Sequence, residues 1–434
     1  MSRVAPYPTM RPFDPILARI AMRMGFAAAK RIRVGCLEVV LPDGSRHVFG
    51  DPSAERRAEM AIHDRRALGR MLLHGETGLG EAYVEGWWSS PDLVGLIELG
   101  LLNRYALALS LGWWRVPGQL VRTLSHRLRR NTLRQARKNI AAHYDLGNDF
   151  YRLFLDETMT YSSAVFASPD QPLADAQRNK YRVIAEGARL EKGQRVLEIG
   201  SGWGGFAIWA AREIGCRVTS VTISAAQAEL ARERVRAAGL ENLVDIQLRD
   251  YRELEGTYDA IVSIEMFEAV GAEYFETFFE VCDRVLAAGG RMSLQSITFP
   301  DVAYEPQRRG VNWIQRYIFP GGLLPSLAVI ERSTHRTNLL IRSVTDIALD
   351  YSRTLQLWRT RFLAQADAVR AMGFDDRFLR TWDYYLAISE AGFRTGTSQD
   401  LQIVFEKGRG LEPRRARPPA RQPSETGKPE AAER

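Results

Sequence analysis

Residues 195–223, RVLEIGSGWGGFAIWAAREIGCRVTSVTI, constrain the fold of this chain more than any other stretch. The pattern predicts a buried strand at 196–199, a turn carrying Gly200, Gly202, Gly204 and Gly205, a helix at 206–214 and a second strand at 218–223. Such a strand-turn-helix-strand unit lets the backbone approach a nucleotide-like ligand, because glycines lack the β-carbon that would hold it away.

Two residues narrow the ligand. Glu198 ends the first strand and Trp203 stands inside the turn. A pyrophosphate site wants bare backbone amides at a helix N-terminus and no carboxylate nearby. An acid suits a cationic or hydroxyl-rich ligand instead, and S-adenosylmethionine is both. Read structurally, Glu198 would only cap the following loop.

The chain has 434 residues, 45% hydrophobic and 26% charged, enough for two domains and a tail. Cys36, Cys216 and Cys282 lie far apart without metal-ligand spacing, so neither a disulfide framework nor a metal site is expected. Arg19, Arg23, Asp14 and several prolines break the apolar run at the start, which argues against a signal peptide. The most apolar segment, 93–114, is interrupted by Glu98 and Arg104 and is no membrane span. The expectation is a cytoplasmic protein held peripherally at the inner face of the membrane.

The net charge of +7 is concentrated. Residues 115–138 contain Arg115, Arg122, Arg127, Arg129, Arg130, Arg134, Arg137 and Lys138 and no acid. They follow Trp113 and Trp114, and a basic cluster beside an apolar, tryptophan-bearing segment is what an anionic membrane surface binds. Nucleic acid is the rival partner, set aside here, and a solvated linker helix is the plainest alternative.

In order, residues 1–114 read as an N-terminal lipid-binding or assembly domain. Within it, 30–49 form a hairpin around Asp43-Gly44, 52–73 an amphipathic helix and 75–88 a glycine-punctuated connection; a further helix opens at Pro91. Residues 115–138 are a basic linker. From 139 to 166 aromatic and polar residues crowd together as in a ligand cover, although Phe150, Tyr151 and Phe154 also fit one helical face. A helix at 175–190 leads into the glycine-turn unit. Another helix follows at 225–238, then strands at 244–248, 258–264 and 291–298, with a helix at 274–286 before the last. This is the rhythm of a doubly wound parallel sheet. Residues 304–330 have no clear period and read as a lid or substrate wall. Helices at 351–371 and 376–390 and a strand at 401–405 complete a catalytic domain of 139–408. Residues 409–434, rich in proline, arginine and glutamate, read as a disordered tail.

The motifs HYDLGNDFY, LDETMTYSSAVF, VLEIGSGWGG, VTISAAQ, EMFEAVG, RYIFPGGLLPS and SEAGFRTG, in that order, resemble those of the cyclopropane fatty acid synthase family of class I S-adenosylmethionine-dependent methyltransferases. GLGEAYVEGWWSS extends the resemblance loosely into the N-terminal domain. The resemblance implies an α/β fold, a Rossmann-like seven-stranded sheet with helices on both faces beside a smaller N-terminal α+β domain. It implies transfer of a one-carbon unit from S-adenosylmethionine to the cis double bond of an unsaturated phospholipid acyl chain, in a protein that forms a homodimer.

Carried over to matching positions, the resemblance assigns cofactor contacts to Tyr161, Ser162, Glu198, Gly200, Gly202, Thr222, Ile223, Gln227, Asp250, Tyr251 and Arg252. It also implies a bicarbonate site, built here from the side chains of Glu268, Gln295 and Tyr351 with the backbone amides of Ser163 and Ile297. Gln295, Ser163 and Ala269 depart from the commonest pattern, where histidine, cysteine and histidine stand. The EAVG and LQSIT forms resemble a branch that includes enzymes making methylene- or methyl-branched products. Glutamine can donate to an anion but carries no positive charge, so the departures bear on the base and on the product.

The chemistry follows from the reactants. An alkene attacked by a methyl electrophile leaves a carbocation on the chain, and a base must remove a proton. Loss from the added methyl closes a cyclopropane, the product expected here; loss after a hydride shift gives the alternative, an exocyclic methylene, which a downstream reductase would turn into a methyl branch. Trp313, Tyr317, Phe319, Phe267 and Tyr351 are candidate aromatic walls for the cation, and Glu268 is expected to orient the anion or act as base. Two other readings compete: a methyltransferase acting on a soluble small molecule, and a non-catalytic lipid-binding paralogue.

Overall fold

The Asp43-Gly44 turn closes the hairpin that nucleates the first unit. Strand β1 (Cys36–Val40) pairs antiparallel with β2 (Arg46–Gly50), with Val40 opposite Arg46, and Gly44 takes a φ of +81° that side chains rarely adopt. In the computed structural model, which describes residues 15–111 and 146–409, β3 (Arg57–Ile62) then runs parallel to β1. Strand β4 (Trp88–Ser89) closes the sheet in the order β2-β1-β3-β4.

Strand β3 and the helix after it correct the sequence reading. The expected helix at 52–73 is half strand: Ala58, Met60 and Ile62 alternate inward on a pleat, and that period of two outweighs their helical propensity once β1 supplies a partner. The expected connection at 75–88 is mostly helical. Helix Arg66–Val84 runs through it, broken only at Gly75, whose φ of 56° and ψ of −131° form a kink. The small residues there serve close packing. A β-carbon on Gly80 would stand 2.6 Å from the Trp313 indole and from the Tyr384 ring.

The larger unit is built on alternation within buried strands. In β5 (Arg195–Ile199), Val196 packs in one layer with Phe206, Ala228 and Ala231, while Leu197 and Ile199 face the other with Phe275, Phe278 and Phe279. The glycine turn leads into helix Gly205–Trp209, whose last turn widens to a π-helix at Ala210–Ile214. Strand β6 (Arg217–Thr222), helix Ala225–Ala237 capped by Ser224, β7 (Val244–Leu248), β8 (Tyr258–Ile264), helix Phe275–Val285 and β9 (Leu286–Thr298) follow. Two strands finish the sheet: β10 (Leu339–Asp346), which periodicity alone did not reveal, and β11 (Gln399–Lys407).

Sheet order is β10-β11-β9-β8-β5-β6-β7. Strands β5 to β9 are parallel, and β11 lies antiparallel between β9 and β10. The chain winds outward from β5 to β7 and then crosses back to β8. The carboxyl ends of β5 and β8 therefore bound the crevice where such sheets bind ligands.

Residues 304–330, expected to be irregular, contain short helices Asp301–Arg309, Trp313–Tyr317 and Leu327–Ser333. Asn312 and Gln315 form a reciprocal cap on the second. Toward the C-terminus, helices Ala348–Ala364, Ala366–Ala371 and Asp376–Arg394 lie near their expected places, as does helix Leu173–Gly187 ahead of β5. The basic linker, Trp113 and Trp114, His143, Tyr144 and Asp145, and the tail from 410 lie outside the described residues.

One hydrophobic core joins the N-terminal unit to helices Ala348–Ala364 and Asp376–Arg394, running from Ala67, Val84 and Trp88 to Trp358, Trp382 and Tyr384. Polar contacts reinforce it. The Tyr83 hydroxyl donates to Asp383 at 2.5 Å, Asp383 pairs with Arg359 at 2.6 Å, and the Tyr317 hydroxyl donates to Glu81, which is ion-paired with buried Arg70. Because Gly80 leaves no space for a methyl group between two buried rings, Gly80→Ala is expected to cost about 1–3 kcal/mol by overpacking. The drop in urea midpoint checks this, and an unchanged midpoint would show that the two units do not bear on each other there.

Candidate functional site

A cavity of about 500 Å³ opens at the carboxyl ends of β5, β6 and β8. Its floor is the glycine turn. Gly200 has a φ of +101°, and a β-carbon there would lie 2.8 Å from the Met266 side chain, so only glycine fits. All eleven positions assigned to the cofactor line this one cavity: Tyr161, Ser162, Glu198, Gly200, Gly202, Thr222, Ile223, Gln227, Asp250, Tyr251 and Arg252.

Their hydrogen bonds fix which groups face inward. Glu198 accepts from the Ser220 hydroxyl, which also reaches Ser201 at 2.7 Å. The Thr222 hydroxyl donates to Gln227 at 3.1 Å. Asp250 grips Arg252 through two bonds of 2.8 Å and caps its amide at 3.0 Å. The hydroxyls of Tyr161 and Tyr385 meet at 2.9 Å. The Tyr251 hydroxyl is buried and has no hydrogen-bond partner among the described residues, as a wall group awaiting a polar ligand would be. Burial pushes the Glu198 carboxyl up to about 8, against the Ser220 bond and the Lys180 charge, which lower it.

The positions assigned to bicarbonate divide between two carboxylates. Glu268 accepts from the Ser296 hydroxyl at 2.9 Å and from the Ile297 amide. The Ser163 amide, the Gln295 side-chain amide and the Tyr351 hydroxyl, each at 2.7 Å, all donate to Glu265 instead. Those three donors are thus already engaged by a side chain of the protein, and they fit an added anion poorly. Tyr351 is held for this bond by stacking on Phe393, ring centroids 4.4 Å apart.

Sequence reasoning passed over Glu265, although it opens the EMFEAVG motif three residues before Glu268. The signal available was a pair of acids just beyond a buried strand. Glu265 also has a φ of +49°, a left-handed backbone that costs a non-glycine residue roughly 1 kcal/mol. Two more buried groups were missed. Lys180, fully enclosed, donates to the Ser162 hydroxyl at 2.7 Å, and burial brings its ammonium down to about 8. Asp400, on β11 opposite Ile297, accepts from Gln295 at 3.1 Å and shares a hydrogen bond with Glu265. Burial raises Asp400 well above the usual carboxylate range, and the Glu265 charge raises it further. Burial also pushes Glu268 up to about 8, with the Glu265 charge adding to the effect.

Beyond the polar end the cavity wall is hydrocarbon: Leu101, Ile297, Phe299, Ile314, Phe319, Leu355 and Ile388. Of the five aromatic wall candidates, Phe319 and Tyr351 line the cavity. The other three pack elsewhere. Phe267 stacks on Phe275 in the sheet core, Trp313 abuts Tyr384, and Tyr317 bonds Glu81.

The family described as mycolic acid cyclopropane synthetase matches residues 131–403 of this chain. Among curated proteins, tuberculostearic acid methyltransferase UfaA1 of Mycobacterium tuberculosis is 42% identical over 83% of this chain and 85% of its own. Cyclopropane-fatty-acyl-phospholipid synthase of Escherichia coli is 36% identical over 81% of this chain and 88% of its own. Among solved structures, the mycolic acid cyclopropane synthase CmaA1 complexed with SAH and CTAB superposes with a TM-score of 0.59 at 30% identity, covering 62% of this chain and 98% of that one.

The raised Glu198 carboxyl sets a pH dependence. A group whose pKa rises from 4.5 unfolded to about 8 folded stabilises the protein fully below pH 4.5 and loses that contribution as pH climbs through 8. Glu198→Gln stays neutral at every pH. Its urea midpoint is therefore expected to lie nearest that of the original protein at about pH 5 and to gain on it by about pH 9. A difference that does not vary with pH would mean that Glu198 ionises alike in both states.

Proposed function

The chain belongs to the mycolic acid cyclopropane synthetase family, and from that premise we propose that it transfers a one-carbon unit from S-adenosylmethionine to the cis double bond of an unsaturated phospholipid acyl chain. The observation that carries this reading is the continuity of a single cavity from Glu198, Gly200 and Gln227 to Ile297, Phe299 and Phe319. A polar seat for the methyl donor opens straight into a hydrocarbon-lined channel.

Glu198, Thr222, Gln227 and Tyr251 offer the acceptors and donors that hydroxyl and ammonium groups need, and Gly200 and Gly202 let the ligand lie against the backbone. When bound, S-adenosylmethionine supplies an electrophilic methyl carbon on a sulfonium. The residues of the chain do the rest. Ile297, Phe299, Phe319 and Leu355 exclude water that would quench a cation on the acyl chain, and the Phe319 and Tyr351 rings offer it electron-rich faces. Glu268, tied to Ser296 and the Ile297 amide, positions the β9 end beside the reacting carbons.

The EAVG and LQSIT motifs resemble a branch that includes makers of methylene- or methyl-branched chains, and the 42% identical relative bears the name of a methyltransferase, which supports a branched chain as the alternative product. The 36% identical synthase supports the cyclopropane. A lipid substrate also accounts for the apolar residues exposed next to the cavity. Arg104 lines the cavity, and its sequence neighbours Leu102 and Tyr105 are exposed by 37% and 65%, an apolar surface beside it. No described helix is long and apolar enough to cross a membrane. Peripheral docking on an anionic bilayer, with the basic residues of 115–138 adding attraction, fits both facts.

Expression in cells rich in monounsaturated phospholipid, with an isotope-labelled methyl donor, is expected to add one CH₂ to unsaturated acyl chains by mass spectrometry. NMR of the acyl chains separates the isomeric ring and methylene products. Unchanged lipids despite measurable cofactor binding would leave a lipid-binding protein without catalysis. By calorimetry, Glu198→Gln is expected to weaken S-adenosylmethionine binding by about 10- to 100-fold, the worth of one charge-assisted hydrogen-bond set.

A further inference from the structure

We propose that Glu265 is the proton-accepting base of this enzyme, a carboxylate of the chain itself seated where the resemblance puts a bound bicarbonate, so that turnover needs no added anion. The inference rests on the functional reading above and names the group that completes its chemistry.

The geometry is that of an anion site already filled. Three neutral donors converge on one carboxylate from three parts of the chain: the Ser163 amide from the segment before helix Leu173–Gly187, Gln295 from β9 and Tyr351 from helix Ala348–Ala364. Gln295 is itself oriented, because Gln402 on β11 donates to its carbonyl oxygen at 3.0 Å and leaves its amide nitrogen for Glu265. Glu265 lines the same cavity as Ile297 and Phe319, which sets it in the site that the acyl chain would enter.

Its neighbours divide the charge. Burial raises both Asp400 and Glu265, but three donors converge on Glu265 while one Asp400 oxygen has no hydrogen-bond partner among the described residues, so the geometry favours the charge on Glu265. Glu268 has no comparable set of three donors, and one of its oxygens has no hydrogen-bond partner among the described residues. Lys180, bonded to Ser162, adds a nearby positive charge. Two carboxyls in one site with different partners take different roles: Glu265 accepts the proton, and Glu268 orients.

The backbone also points to a retained function. At a φ of +49° glycine would sit without strain, yet the chain carries glutamate.

The step balances. The alkene π pair forms the new C–C bond as the methyl leaves sulfur with the S–C pair staying on sulfur. The adjacent carbon becomes cationic, a C–H bond then breaks, and its proton goes to the Glu265 carboxylate. The C–H pair becomes the third ring bond or, after a hydride shift, the methylene double bond.

Glu265→Gly and Glu265→Gln test this. In bicarbonate-stripped buffer the original protein should keep its full rate, while both variants lose about 10²- to 10⁴-fold, the usual worth of a placed base. Added bicarbonate should restore part of the rate in Glu265→Gly, whose site is vacated, and none in Glu265→Gln, whose amide still fills it. By ¹³C NMR, labelled bicarbonate should bind Glu265→Gly and not the original protein. An original protein that binds bicarbonate or stalls without it overturns the proposal, as does a Glu265→Gln variant with an undiminished rate. If the original protein transfers no one-carbon unit to lipid at all, the functional reading fails, and the NMR binding result still shows whether Glu265 occupies the anion site.

Discussion

Three donors that lie far apart in sequence meet on the carboxylate of Glu265, and the catalytic half of the molecule is arranged around that meeting. The Ser163 amide, Gln295 and Tyr351 belong to segments separated by more than a hundred residues or by a whole strand and helix layer. Bringing them within 2.7 Å of one acid requires β9 to pair with β8 so that Gln295 stands opposite Ile264, and requires helix Ala348–Ala364 and the loop before helix Leu173–Gly187 to reach the same point. A carboxylate withdrawn from water is costly unless its lone pairs are filled. Here the enclosure and the donors come from the same elements, so neither can be altered without the other.

Much of this was legible beforehand. The strand-turn-helix-strand unit announced the sheet, since Val196, Leu197 and Ile199 read as a strand covered on both faces and the glycines as a turn against a ligand. The cofactor-side residues gathered in one cavity because they lie at strand ends, and strand ends are what buried apolar runs mark most sharply. What escaped shares a different physical character. The β3 strand depends on β1, a partner some twenty residues away that local periodicity does not register. β10 is largely exposed along its length, so it lacks the apolar run that reveals an inner strand. Lys180, Asp400 and Glu265 are polar residues whose burial is decided by tertiary packing. In a sequence they look like solvated surface.

That misreading matters because the missed residues form one electrostatic unit. Lys180 stands near Glu198, Glu265 and Asp400, and its charge offsets part of the penalty that each acid incurs on burial. A core that wanted only stability would hold hydrocarbon in these places. Retaining one lysine and several acids in it marks where the fold gives up stability for chemistry, and the strained backbone at Glu265 is a local trace of the same exchange.

Helix Asp376–Arg394 serves two masters. Asp383 accepts from the Tyr83 hydroxyl and Tyr384 packs on the same Tyr83 ring from the side of the first unit, while the next residue, Tyr385, meets the hydroxyl of Tyr161 at the cofactor end of the cavity. A chimera that exchanged the first unit for that of a relative would thus inherit a mismatched seam within one helical turn of the ligand. The natural graft boundary is not the linker between the units. It runs through the far side of this helix, and a transplant that carries the helix along keeps both grips intact.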